Sequence, residues 1–260
     1  MKVVILAGGL GTRISEESHL RPKPMLEIGG QPILWHIMKY YSHFNFTDFI
    51  ICCGYRGYVI KEYFADYFLH RCDVTFDFSD GGRMDIHANV AEPWKVTLVD
   101  TGLNTATGGR VKRIQSYLGR EPFMLTYGDG LSDVDLDALL AHHRRCGKKA
   151  TLTAVQPGGR YGVLTFDDHS DSVLGFQEKP KGDGAWVNAG FMVMEPDVFG
   201  YIDGDKSSLE VDMLSRLGAE GSLEAYKHQG FWQCMDTQRD KENLEKLWSG
   251  GRPAWKVWSN

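Results

Sequence analysis

Short apolar runs alternate with helically spaced apolar positions through the first 150 residues of this 260-residue chain. Val3-Val4-Ile5-Leu6 is continuously apolar, as expected of a strand covered on both faces. Ile33, Leu34, Ile37, Met38 and Tyr41 recur at helical spacing behind Pro32, which a first turn tolerates. The pattern then predicts strands at 49–53, 96–99 and 123–127, and helices over 59–68, 109–118 and 135–143. This rhythm predicts an α/β fold with a mixed, mostly parallel sheet wrapped by helices. Beyond Thr151 strands dominate, at 152–155, 163–166, 173–178 and 187–194, with one helix carrying Leu209, Met213, Leu214 and Leu217. A terminal helix carries Leu244, Leu247 and Trp248, and the tail holds Trp255 and Trp258. Tryptophan in a tail docks on something, either its own domain or a neighbouring subunit.

The first strand runs straight into Ala7-Gly8-Gly9-Leu10-Gly11-Thr12-Arg13. Ligands of open α/β sheets bind beyond the carboxyl ends of strands. Glycines there let backbone N–H groups converge on phosphate oxygens. Arg13 adds a planar fork and Lys23 a compact positive charge. The dinucleotide fingerprint fails, because Ile14 stands at its third small position. The P-loop fails too, since no lysine follows the second glycine at the required spacing. On the glycines alone, a plain strand-to-helix turn stays open.

Composition narrows the function classes. The chain has 29 basic and 34 acidic residues, net −5, so no overall field draws it to nucleic acid or anionic lipid. Its five cysteines are odd in number and lack Cys-x-x-Cys spacing, which disfavours a disulfide framework and fits a reducing cytoplasm. Neither a secretory signal nor a membrane span is expected. No His-Glu-x-x-His occurs, so zinc is not expected.

The longer stretch Leu6–Arg13, followed by Arg21-Pro22-Lys23-Pro24-Met25, resembles the signature of the sugar-phosphate nucleotidyltransferases. Three further blocks follow in that family's order: Tyr127-Gly128-Asp129, Gln177-Glu178-Lys179-Pro180 and Val187-Asn188-Ala189-Gly190-Phe191. Ile33-Leu34-Trp35-His36-Ile37-Met38, Thr107-Gly108-Gly109-Arg110 and Phe231-Trp232-Gln233-Cys234-Met235-Asp236-Thr237 are similar to the branch that joins CTP to glucose 1-phosphate. The resemblance covers nearly the whole chain. It departs at Leu103-Asn104-Thr105-Ala106 and at Cys234, where the family has proline.

The resemblance implies a Rossmann-like single nucleotidyltransferase domain over 1–260. Residues 1–150 would be a nucleotide-binding half, 151–236 a smaller strand-rich sugar-binding half, and 237–260 a terminal helix and tail. It implies a Mg²⁺-dependent reaction of CTP with α-D-glucose 1-phosphate to CDP-glucose and pyrophosphate, supplying deoxysugars of bacterial lipopolysaccharide O-antigen. UTP or dTTP in place of CTP, and a non-catalytic nucleotide-sugar-binding protein, stay open as alternatives. A homo-oligomer is implied, for which the tail and Tyr40, Tyr63 and Tyr67, read as exposed, offer surface.

Roles follow from charge. A phosphate monoester is mostly dianionic at neutral pH, so no general base is needed. Two anions must meet, and each like-charge pair at ~4 Å costs on the order of 4 kcal/mol at an effective dielectric of ~20. Leu6, Ala7, Gly8, Gly9, Leu10, Gly11, Thr12, Thr105, Arg110 and Gly128 are the candidate nucleotide contacts, with Arg13 and Lys23 neutralising the phosphates. Asp129 and Asp236 are the candidate Mg²⁺ ligands, hard oxygen donors as that ion requires. Arg13, Lys23 and Asp129 form the candidate catalytic set, and Glu178, Lys179 and Asn188 the sugar-phosphate contacts. Asp133, Asp135 and Asp137 are read as charges at a helix start, and His36 as a packed histidine.

Overall fold

The computed structural model describes the chain except residues 12–13, 15–20, 80, 90, 158–162, 167–172, 178–184, 252 and 259–260. For 88–89, 163–166 and 173–177 only the backbone is described. Strand β1 (Lys2–Ala7) is followed by a tight turn at Lys23–Met25, the short pair β2 (Glu27–Ile28) and β3 (Gln31–Pro32), and helix α1 (Ile33–His43). Then come β4 (Asp48–Cys53), α2 (Gly57–Ala65), a hairpin of β5 (Cys72–Asp77) and β6 (Arg83–Asn89), β7 (Lys95–Asp100), α3 (Thr107–Arg113) and α4 (Gln115–Leu118). The chain continues through β8 (Phe123–Tyr127), β9 (Gly130–Ser132), α5 (Leu136–Cys146), β10 (Ala150–Val155), β11 (Val163–Phe166), β12 (Val173–Gln177) and β13 (Val187–Met194). A π-helical turn (Leu209–Leu214) runs into α6 (Ser215–Ala219), followed by β14 (Leu223–Lys227), β15 (Trp232–Cys234) and α7 (Gln238–Ser249).

Among the described residues, seven strands form one sheet in the order β14-β10-β13-β8-β1-β4-β7. β13 runs antiparallel to both of its neighbours, and the remaining pairings are parallel. The sheet is therefore mixed and mostly parallel, as the pattern predicts. β1 lies near its middle because it is apolar on both faces. Val3, Ile5 and Ala7 enter the core that holds α1, while Val4 and Leu6 enter a second core with Val111, Leu125 and Met192. This two-residue alternation between two cores is what a continuous apolar strand is for.

Several boundaries differ from the pattern. The helix expected over 109–118 is broken at Ile114 into α3 and α4. The helix around Leu209 opens as a π-turn. Asp135 does cap α5, accepting from the Ala138 N–H at 2.9 Å. Asp133 does not serve that helix: it accepts from the Phe231 N–H at 2.7 Å and faces His228 at 2.8 Å. The tyrosines expected to be exposed are not: Tyr40 and Tyr67 are buried and Tyr63 is half-buried. Their rings fill space against Phe191, Trp94 and Phe64.

The tail docks on its own chain. Trp255 is fully buried, stacked on Phe231 and Trp248. His36 sits beneath it, with Nε2 2.8 Å from the Ile28 carbonyl. Burial pushes the His36 pKa down to about 4. The unfolded chain therefore protonates first, near pH 6.5. His36 stabilises the fold fully above that pH, and its contribution fades as pH falls towards 4. It amounts to about 3 kcal/mol over that window. Denaturant titrations at pH 7.5 and 4.5 should show this fall reduced in His36→Gln relative to wild type. Identical falls in both proteins would rule it out.

Candidate active site

Three chain segments deliver charge to one point. β8 ends at Tyr127, and the Gly128 N–H donates to the Leu6 carbonyl at 3.0 Å, pinning the end of β8 to the end of β1. Asp129 follows at this carboxyl end. β9 then pairs antiparallel with β15, with Gly130 opposite Cys234. The Met235 N–H donates to the Asp129 carbonyl at 2.8 Å, so the ladder carries Asp236 in beside Asp129. Thr237 starts α7 with a reciprocal capping box to Asp240, whose carboxylate also accepts from the Asp236 N–H at 3.2 Å. The backbone at Asp236 is thus fixed by a helix start on one side and a strand pair on the other.

Lys23 stands on the tight turn between Pro22 and Pro24. Its Nζ donates to Asp129 Oδ2 at 2.7 Å and to Asp236 Oδ1 at 2.6 Å. Burial lowers the Lys23 pKa, but the two carboxylates outweigh it and the net shift is upward. The ammonium marks the position where both carboxylates favour a cation. Two converging hard oxygen donors also suit a small divalent ion that keeps water and phosphate oxygens in its shell. The donor set fits such an ion, provided the flexible lysine stem moves its charge aside.

The carboxylate pair lies where two cavities meet. The larger, about 520 Å³, is floored by Leu6, Ala7, Gly8, Gly9 and Gly11 and walled by Thr105, Arg110, Tyr127 and Gly128. The smaller, about 280 Å³, is lined by Tyr127, Asn188, Ala189, Trp232 and Cys234. Asp129 and Asp236 line both. Leu10 is exposed and does not line the larger cavity. Thr12, Arg13, Glu178 and Lys179 lie outside the described residues.

Arg110 is more deeply committed than the sequence suggested. Its guanidinium is buried under the glycine loop and donates to Thr101 Oγ1 at 2.8 Å and to the carbonyls of Cys53, Gly102 and Leu103. Burial lowers its pKa, and among the described residues its hydrogen bonds go to a hydroxyl and to carbonyls rather than to a carboxylate. A Cβ on Gly8 would sit 2.2 Å from Arg110 Nη1, so glycine is needed there for this packing. Asn188 folds its Oδ1 back onto the Gly190 N–H at 2.9 Å. Gly190 has φ +88, and the Tyr127 ring lies where its Cβ would be.

Sequence reasoning missed Thr107 and Tyr127 as cavity walls. Both hydroxyls donate to Glu210, Thr107 at 2.8 Å and Tyr127 at 2.6 Å. Burial raises the Glu210 pKa, but these hydroxyls and Ser208 outweigh it and hold the carboxyl below its usual range. Tyr127 was within reach, as it directly precedes Gly128-Asp129. Glu210 carries no sequence signal, being one acidic residue in an amphipathic segment.

The family model described as Nucleotidyl transferase matches residues 2–241. The chain belongs to the nucleotidyl transferase family. This nucleotidyl transferase is 57% identical to glucose-1-phosphate cytidylyltransferase of Salmonella typhimurium, over 99% of this chain and all of that protein. It is 42% identical to a probable glucose-1-phosphate cytidylyltransferase of Bacillus subtilis, again over 99% of this chain and all of that protein. Among solved structures, HddC from Yersinia pseudotuberculosis superposes with a TM-score of 0.70 at 23% identity, covering 95% of this chain and 99% of that one, a likeness of fold. Nucleotidyl transferases act on small-molecule substrates and generally use a divalent metal. No helix among the described residues is long and apolar enough to cross a membrane.

Proposed function

We propose that this protein transfers a cytidylyl group from CTP to α-D-glucose 1-phosphate, giving CDP-glucose and pyrophosphate. One observation carries the chemistry: a single carboxylate pair is shared by a larger glycine-floored cavity and a smaller cavity containing Asn188. Such a junction suits transfer between two bound substrates. The full-length likeness to glucose-1-phosphate cytidylyltransferases supports the choice of nucleotide and sugar.

In this reading the triphosphate lies over Gly8, Gly9 and Gly11, and the sugar phosphate enters from the Asn188 side. An oxygen of the sugar phosphate attacks the α-phosphorus of CTP. The new P–O bond forms as the bond from the α-phosphorus to the α–β bridging oxygen breaks, and pyrophosphate leaves with that electron pair. No proton must be removed from the nucleophile. The residues' task is to align the two anions and offset their charge. Lys23 supplies positive charge at the junction, and Arg13 is assigned to neutralising the triphosphate. Arg110 anchors the loop and adds charge from beneath it. Glu178 and Lys179 are assigned to the sugar phosphate. Asp129 and Asp236 hold Mg²⁺, which when bound neutralises phosphate charge. CDP-glucose then serves deoxysugar synthesis for surface polysaccharide. A homo-oligomer stays part of this reading, supported by the exposed Phe76, Phe78, Met84 and Ile86 of the β5–β6 hairpin rather than by the tyrosines.

Pyrophosphate release measured with four nucleoside triphosphates crossed with several sugar 1-phosphates tests the assignment. CTP with glucose 1-phosphate should be the fastest pair. A preference for UTP would overturn the nucleotide. For the metal, Asp236→Ala should raise the Mg²⁺ concentration giving half-maximal rate at least ~10-fold. An unchanged value would remove Asp236 from the metal site.

A further inference from the structure

At the far edge of the sheet, three side chains unconnected with the proposed reaction converge. His142 and Cys146 are four residues apart on α5 and so share one face of that helix. Glu224 lies on the neighbouring edge strand β14. Among the described residues these are the one such group: their donor atoms all lie within 4.8 Å of one another. Cys146 Sγ is 3.4 Å from His142 Nε2, and Glu224 Oε1 is 4.0 Å from that same nitrogen. Tyr226, two residues beyond Glu224 on the same strand face, lays its ring edge-on to His142 at 5.5 Å and limits the imidazole's rotation. All three donors are half-buried, so an ion can reach them and is still partly shielded from water.

We propose that His142, Cys146 and Glu224 form a binding site for one zinc-class divalent ion that clasps the end of α5 to the edge strand β14. The donor chemistry selects the ion. A thiolate and an imidazole suit Zn²⁺ and Co²⁺, whereas Mg²⁺ and Ca²⁺ require oxygen donors, so this site does not compete for the ion assigned to Asp129 and Asp236. The geometry agrees. Tetrahedral Zn²⁺ with ordinary Zn–S and Zn–N bonds holds its sulfur and nitrogen donors about 3.5 Å apart, close to the spacing present. Glu224 must close by about 0.6 Å on the His142 nitrogen and by at most about 1.3 Å on the Cys146 sulfur, an adjustment within reach of a side chain a third exposed. The three donors leave the fourth position to water.

One group opposes the ion. Arg145 Nη2 lies 2.9 Å from His142 Nδ1. Donating there, it favours the tautomer with its proton on Nε2, the nitrogen needed for the metal. Binding requires Arg145, which is exposed, to turn away so that Nδ1 carries the proton. The Cys146 thiol proton is released to solvent as the thiolate binds. Because the site spans two elements, the ion binds the folded chain better than the unfolded one and raises its melting temperature.

The test uses the full-length protein, stripped with chelator in a non-thiol reductant and titrated with Zn²⁺ and with Co²⁺ alone. One equivalent of Co²⁺ should produce a near-ultraviolet thiolate-to-metal charge-transfer band, and Zn²⁺ should displace it and raise the melting temperature. Cys146→Ser and His142→Gln should each weaken binding by more than the ~10- to 100-fold that losing an outer-shell partner costs. Cys146→Ser should also abolish the band. Cys234→Ser, which alters the thiol beside Asp236, should keep it. Arg145→Ala should tighten binding. No band in the wild type, a band surviving in Cys146→Ser, or a band lost in Cys234→Ser overturns the proposal. If Cys146→Ser does not fold, His142→Gln decides by the same binding measurement.

Discussion

Lys23→Met is expected to lower turnover by about a thousandfold, equivalent to about 4 kcal/mol of transition-state stabilisation, while the chain still folds. Lys23 is the side chain that spans both carboxylates at the junction of the two cavities. Methionine keeps the length of the stem but removes the charge. The two carboxylates then face each other without their ammonium, so the variant should bind free Mn²⁺ or Mg²⁺ more tightly than wild type in the absence of nucleotide. Lower turnover together with tighter metal binding separates loss of positive charge from general disruption of the site. Steady-state pyrophosphate release and a direct metal titration check the two halves. A loss below tenfold in turnover would contradict the role given to Lys23, and weaker metal binding would contradict the electrostatic account of the pair.

What was legible in the sequence follows from how local each cause is. β1 was readable because five consecutive apolar residues can only serve two cores, and the loop after it because glycines follow a strand directly. Asp129 could be placed at a strand's carboxyl end from the run that precedes it. Its closeness to Asp236 follows from the β9–β15 pairing, a three-residue contact between distant segments that no local pattern announces. The β5–β6 hairpin lies outside the predicted elements although Cys72-Asp73-Val74-Thr75-Phe76-Asp77 alternates apolar and polar residues at a strand's period; among the described residues its apolar side chains join neither buried core, and Phe76 stays exposed. Tyr40 and Tyr67 were misread as surface because tyrosine at helical spacing fits either side. Glu210 was invisible: its place under Tyr127 and Thr107 depends on a π-turn that adjusts the register of a helix. Sequence pattern thus reached the elements and the charged residues, and stopped where two remote segments must be brought into register.

That dependence on remote contacts makes the tail more than a terminus. Trp255→Ala is expected to destabilise the protein by about 3–5 kcal/mol. Trp255 is fully buried, its ring is 5.5 Å from Phe231 and 6.4 Å from Trp248, and its indole N–H donates to His36 Nδ1 at 3.4 Å. Alanine would leave a cavity walled by three rings and would free an imidazole held neutral by burial. The loss would reach the site along the chain, because Phe231 opens the segment that ends in Asp236, and Phe231 is held from one side by Trp255 and from the other by Asp133. The melting temperature should fall by about 10 °C, and the Mg²⁺ concentration for half-maximal rate should rise although no ligand was altered. Trp258→Ala, removing a half-buried ring, should cost less than half as much. If Trp255→Ala melts within about 2 °C of wild type, the tail does not brace β15, and the placement of Asp236 must rest on the β9 pairing and the α7 cap alone.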